Sequence, residues 1–174
     1  MDFEKKENVS LGEYLHMINL KTSVLLAASL EMGAILGGGG EGNRKHLYEF
    51  GRNLGIAFQV QDVYLDAFGD PEKFGKNRGG DIRQNKKTFL LLHALEVASS
   101  SQKEQIKELL VTDPVDKVEK MLEIFHDCNA DAWAKELKEK YVQTAYDHLN
   151  DIAVLSARKK PLLELAAFLI QRDY

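Results

Sequence analysis

Cysteine is nearly missing from this chain: Cys128 is the only one among 174 residues. An internal disulfide is therefore impossible. With His126 the thiol makes only two potential zinc ligands and no second pair stands at suitable spacing, so the expected role of Cys128 is a small buried apolar side chain. Proline is scarce, with three, and the thirteen glycines gather mainly in residues 33–42 and 69–80. Long stretches are thus free of helix breakers, and runs that read as strands are nearly absent. Charge of one sign is lacking too. Twenty-three basic and twenty-seven acidic residues alternate along the chain, for a net charge of −4, and no basic stripe offers itself to a nucleic-acid backbone. No uninterrupted apolar run approaches the ~20 residues of a membrane span. The segment Met1-Asp2-Phe3-Glu4-Lys5-Lys6 has no apolar core of signal-peptide length. The expectation is a cytoplasmic protein without a membrane segment and without a nucleic-acid partner.

An apolar content of 44% over this length supports one sizeable core, and hence a single domain. Ser10 and Glu13 form a potential capping box opening a first helix, which continues through Ile35 and Leu36 and stops at Gly37 to Gly40. A second helix starts near Asn43 and runs past Asp66, with Leu47, Phe50, Leu54, Phe58, Leu65 and Phe68 returning to one side. A glycine-containing loop follows from Phe68 to about Asn85. The next helix begins at Lys87-Thr88-Phe89, with Asn85 as a candidate cap. Further helices are expected from Gln102 to Leu110, after Asp113-Pro114, from Ala130 to about Ala153, and from Pro161 to Ile170. No fixed-period repeat is present, so the pattern predicts an all-α bundle rather than a solenoid.

Three segments carry residue types suited to chemistry. Within the second helix, at about 100° per residue, Gln59, Asp62 and Asp66 fall in a stripe roughly 60° wide, so both carboxylates leave one face. Like charges four apart repel. The pair admits two readings, a solvated face or a site for a cation such as Mg²⁺, which binds through one or two carboxylates plus substrate phosphates. In the first helix Lys21 stands in the stripe Tyr14, Ile18, Lys21, Leu25, Ala28, Met32, Ile35. Either its stem packs while its ammonium reaches water, or the ammonium meets a phosphate in a cavity, with the Thr22 hydroxyl beside it. The third segment runs from Phe74 to Thr88 and includes Gly75-Lys76, Gly79-Gly80-Asp81 and Asn85-Lys86-Lys87. It reads as a plain surface loop or as a basic, glycine-rich loop that approaches an anion. Its spacing matches neither a Walker loop nor a dinucleotide fingerprint.

In order and separation these segments resemble the trans-isoprenyl diphosphate synthases. The resemblance is carried most specifically by Gly55-Ile56-Ala57-Phe58-Gln59-Val60-Gln61-Asp62-Val63-Tyr64-Leu65-Asp66, then by Gly69-Asp70 and Gly75-Lys76. Lys21-Thr22 looks like the family's Lys-Thr pair, and Gly80-Asp81 with Asn85-Lys86 like the end of its diphosphate-binding loop. The resemblance implies an all-α antiparallel helical bundle of the isoprenoid synthase type around a deep cavity, usually homodimeric. It also implies a Mg²⁺-dependent head-to-tail condensation of isopentenyl diphosphate onto an allylic diphosphate. By position, Asp62 and Asp66 are the implied magnesium ligands. Lys21, Lys76 and Lys86 are the implied contacts of the allylic diphosphate, and Gln59 and Thr22 lie beside the reacting carbon.

Two departures shape what is expected of this chain. Val63 stands where the family's motif has its second aspartate. No first Asp-Asp-x-x-Asp motif precedes Lys21, so residues 1–174 read as the C-terminal portion of a single isoprenoid synthase domain, inactive alone and prone to self-associate through exposed apolar faces. A non-catalytic partner subunit of a heteromeric synthase is the alternative reading. An unrelated helical interaction module, in which Lys21, Asp62 and Asp66 are incidental, is the third.

Overall fold

The structure, a computed structural model, describes residues 6, 8–70, 72 and 78–171. The described residues hold nine α-helices and no strand. In chain order these are α1 (Leu11–Ile18), α2 (Val24–Leu36), α3 (Glu41–Phe68), α4 (Gly80–Arg83), α5 (Phe89–Val97), α6 (Ser100–Thr112), α7 (Lys117–Asp127), α8 (Ala130–Asp151) and α9 (Ser156–Ile170). Between α1 and α2 the chain does not leave the helix but widens into a π-helical turn, Asn19–Ser23. The residues cluster into two compact units. One comprises the described residues up to Tyr14 together with Asp62–Lys135, and the other Leu15–Gln61 together with residues 136–171.

The expected all-α architecture is observed, and most boundaries follow local chemistry. Ser10 and Glu13 form the capping box, with Glu13 Oε2 accepting from the Ser10 amide at 2.9 Å and Ser10 Oγ accepting from the Glu13 amide at 3.2 Å. Ser99 and Gln102 build a second box at the start of α6. Asn85, in contrast, does not cap a helix: α5 starts only at Phe89, and the Asn85 amide is turned toward Leu110 and Lys117. Pro161 does not open α9 either; it lies inside a helix that begins at Ser156.

In the first unit α7 is the hub and packs against α4, α5 and α6. Val118, Met121, Ile124 and Phe125 are all buried there, the spacing of one helical face. They meet Phe89, Leu90, Leu91 and Ala94 of α5 and Ile106 and Leu109 of α6 in the buried set of that unit. Phe89 lies between Tyr14 and Trp133, with ring centroids 6.2 and 5.8 Å away, and His93 stacks on Trp133 at 4.0 Å. Burial lowers the His93 pKa. Cys128 is buried, as expected, and burial raises its thiol pKa.

In the second unit Phe50 and Leu54 of α3, Ala145 and Leu149 of α8, Ile152 and Ala166 of α9 make the core, joined by Leu26 and Leu30 of α2. Here the chain comes backbone to backbone. A Cβ on Gly55 would stand 2.8 Å from the Ser23 Cα, and one on Gly51 3.0 Å from the Ala27 Cα, so only glycine lets α3 lie this close to the π turn and α2.

The stretch Leu11–Leu36 departs from one expectation, the stripe that included Lys21. Its buried residues are Tyr14, Ile18, Ser23 and Ala27, a four-five-four spacing. The extra residue is absorbed by the π turn, which slips the buried face after Ile18 and leaves Lys21, Leu25, Met32 and Ile35 off it. The same stretch of 26 residues is, by length and composition, long and apolar enough to cross a membrane, although Glu13, Lys21 and Glu31 interrupt it. Those charges leave no uninterrupted apolar run of ~20 residues within it.

Candidate functional site

α3 carries Gln59, Asp62 and Asp66 on successive turns, and each is half-buried. Asp66 is a receptor for backbone. Its Oδ2 accepts the Asp81 amide at 2.9 Å, the Gly80 amide also bonds its carboxylate, and its own carbonyl accepts the Gly79 amide at 2.7 Å. The start of α4 is therefore folded onto the last turns of α3. Gly79 makes that approach possible: its φ is 76°, and a Cβ there would stand 2.5 Å from Val118 Cγ1. Arg78 adds a further bond, from its Nε to the Ala67 carbonyl at 2.7 Å.

This local folding brings Asp81 and Lys86 to the acidic face of α3. Lys86 Nζ donates to Asp81 Oδ1 at 2.6 Å. The Lys86 pKa is raised first by that bond and further by the charges of Asp81, Asp66 and Asp62. Burial pushes the Asp66 carboxyl upward, the Asp81 charge adds to this, and the amide bonds and Lys86 oppose it. Tyr14, buried, has its hydroxyl pushed far above its ordinary range, first by burial and then by the charges of Asp81 and Asp62. Asp62, Asp66, Asp81, Lys86 and Tyr14 thus share one electrostatic neighbourhood within the first unit. Among the described residues Asp62 alone of its three carboxylates has no hydrogen-bond or ion-pair partner.

A magnesium ion fits this arrangement in one way only. Among the described residues no group of three or more His, Cys, Asp or Glu side chains is placed to hold a metal by itself. Asp66 is engaged by amides and Asp81 by Lys86, which leaves Asp62 as the available ligand. That suits a cation whose remaining ligands are water and substrate phosphate oxygens rather than an all-protein cage.

Lys21, Thr22 and Gln59 belong to the second unit. There Lys21 is exposed and Thr22 half-buried, both within the π turn, an irregularity often found at functional sites. Ser23 of that turn is fully buried against Gly55, and its Oγ has no hydrogen-bond partner. Gln59 lies one turn beyond Gly55 on α3. Lys76 and Gly75 lie outside the described residues. Sequence reasoning did not select Asp81 or Tyr14: Asp81 sits in a four-residue helix whose docking on Asp66 is tertiary, and Tyr14 reads as an ordinary core aromatic.

The family model for polyprenyl synthetases matches residues 1–126. The chain belongs to the polyprenyl synthetase family. Among curated polyprenyl synthetases, the chain is 35% identical over its whole length to a short chain isoprenyl diphosphate synthase of Methanothermobacter thermautotrophicus, covering 53% of that protein. It is 36% identical to a geranylgeranyl diphosphate synthase of Sulfolobus acidocaldarius over 99% of the chain and 53% of the relative. Among solved structures, geranylgeranyl pyrophosphate synthetase from Pyrococcus horikoshii superposes with a TM-score of 0.90 at 34% identity, over 98% of this chain and 52% of that one. The polyprenyl synthetase chain thus has the all-α isoprenoid synthase fold and spans about half the length of the relatives it matches.

Proposed function

We propose that the chain supplies the second aspartate-rich site of an isoprenyl diphosphate synthase, which holds magnesium and the diphosphate of an allylic substrate. The observation that carries this reading is the cluster within the first unit: the carboxylates of Asp62, Asp66 and Asp81 all act on Lys86, and among the described residues Asp62 has no hydrogen-bond or ion-pair partner.

In this reading Asp62 is the principal magnesium ligand, with Asp66 in support through water. The bound ion supplies Lewis-acid stabilisation of the diphosphate as it departs from the allylic carbon. The chain's own residues do the rest. Lys86 turns from Asp81 to the diphosphate and adds a fixed positive charge where negative charge develops. Lys21 and Lys76 carry the same role by resemblance, and Thr22 and Gln59 orient the diphosphate or face the allylic cation. Attack by the isopentenyl double bond and loss of a proton then complete the longer chain. The departing diphosphate accepts that proton, so no histidine base is needed. Short prenyl diphosphates are the product class suggested by the relatives' names.

Turnover by this chain alone is not expected, because the span it shares with its relatives is about half of theirs and Val63 replaces a motif carboxylate. The direct test is calorimetric titration with Mg²⁺ and an unreactive allylic diphosphate. Mutually dependent binding that is abolished in Asp62→Ala is the expected result, and independent or absent binding would overturn the proposal. In a parallel incubation with labelled isopentenyl and allylic diphosphates, product formed by the chain alone would overturn the expected inactivity. Val63 also favours a second reading, a partner subunit that binds without turning over; tight pairing with a separate intact synthase would select it.

A further inference from the structure

Lys117 is the one charged side chain buried among the described residues, with 2% of its surface exposed. Its placement is doubly unfavourable. A buried ammonium loses its hydration, and the first position of α7 is the helix end at which the macrodipole opposes a cation. Both penalties must be offset by what the ammonium holds. Nζ donates to Asn85 Oδ1 at 2.6 Å and to Asp113 Oδ1 at 2.8 Å. Asn85 in turn donates from Nδ2 to the Leu110 carbonyl at 3.1 Å. One side chain therefore ties the segment after α4 to the end of α6 and to the α6–α7 connection.

The two acceptors share an unusual backbone. Asn85 has φ 53° and Asp113 φ 48°, the left-handed region, which asparagine and aspartate enter more readily than other residues with a Cβ and in which Asn129 also stands. Asn85 is also the residue immediately before Lys86. Its conformation sets the direction in which the chain leaves α4. The tight turn that results is fastened by the Asn85 amide on the Ile82 carbonyl at 3.1 Å and the Lys86 amide on the Asp81 carbonyl at 3.0 Å. From that turn the Lys86 ammonium reaches Asp81.

We propose that Lys117 is a positioning residue for Lys86: by holding Asn85 left-handed through its side-chain oxygen, it fixes the turn that presents the Lys86 ammonium to a metal-bound diphosphate. The inference rests on the reading of Lys86 as a diphosphate contact. Lys117 itself touches no substrate. It acts through Asn85, and a residue that needs no such restraint should make it dispensable. Glycine is that residue, because it enters the left-handed region without a steric penalty.

The experiment uses the full chain and two readouts. Amide hydrogen exchange at Arg83, Gln84, Asn85 and Lys86 reports the turn, and calorimetric titration with Mg²⁺ and inorganic pyrophosphate reports the site. Lys117→Met is expected to speed exchange at these four amides and to weaken pyrophosphate binding about tenfold, the scale of one lost charge-assisted hydrogen bond. Asn85→Gly added to Lys117→Met is expected to restore both, which a purely structural role of Lys117 would not allow. Should Lys117→Met not fold, Asn85→Ala, at an exposed position, tests the same restraint with the same expected losses. Unchanged exchange in Lys117→Met, or no recovery on adding Asn85→Gly, would overturn the positioning role. Unchanged pyrophosphate affinity in Lys86→Ala would instead overturn the reading of Lys86 on which the inference stands.

Discussion

Asp66 is both a motif carboxylate and a docking point for the backbone of α4, and the second role is measurable without any ligand. Replacing it by alanine leaves the Gly80 and Asp81 amides without their acceptor. Asp66→Ala should therefore lower stability by about 1–3 kcal/mol, read from the urea midpoint, and speed exchange at Asp81. Asp62→Ala removes no partner among the described residues and should leave the urea midpoint nearly unchanged while abolishing Mg²⁺-diphosphate binding. The contrast separates a ligand from a support. Val63 follows Asp62 on the same helix, and Val63→Asp restores the missing carboxylate of the motif. Magnesium affinity in the presence of pyrophosphate should then rise, on the order of tenfold, in the same titration.

At the scale of elements, the capping box at the start of α1 carries a pH signature. Glu13 is held down to about 2 from 4.5, first by its bond from Lys6 and then by its bonds from Ser10. Its folded-state pKa lies below the unfolded one. The stability it contributes is present above about pH 4.5 and is lost as pH falls from there toward 2. In urea titrations across that window the unsubstituted chain should weaken with acid more steeply than Glu13→Gln. The π turn makes a second prediction. Gly55→Ala pushes a methyl into Ser23, and overpacking of this kind costs about 1–3 kcal/mol. Because the strain falls on the turn that bears Lys21 and Thr22, thermal unfolding should shift downward and exchange at those two amides should rise together.

For the whole molecule, five of the twelve large exposed apolar side chains among the described residues lie on one stretch, Leu11–Leu36. Leu25 is 74% exposed and Leu36 89%, with Leu20, Met32 and Ile35 also in the open. So much apolar surface on a single helical stretch is unusual for a chain that stays alone in water. Self-association is the proposed consequence. Sedimentation should find a dimer or larger species, and the double variant Leu25→Lys, Met32→Lys should shift it toward monomer; a monomeric unsubstituted chain would count against the proposal.

Much of the fold and part of the site were legible in the sequence. Scarce breakers, capping residues and apolar spacing fix where helices form because these depend on neighbours within a turn or two. The Ser10–Glu13 box, the long α3 and the one-face placement of Asp62 and Asp66 are local facts of this kind. The slip of register at Asn19–Ser23 was not legible, since a single added residue per turn leaves no compositional mark and is decided by Ser23 seating against Gly55. Nor was the docking of Gly80 and Asp81 on Asp66, which places Asp81 in the cluster, nor the burial of Lys117, which composition alone would set on the surface. Sequence by itself determined the helices, the family and the face that bears the carboxylates; only tertiary structure decided which carboxylates are engaged by Gly80, Asp81 and Lys86. The reason is physical: a hydrogen-bond partner many residues away along the chain is chosen by packing, and packing has no local signature.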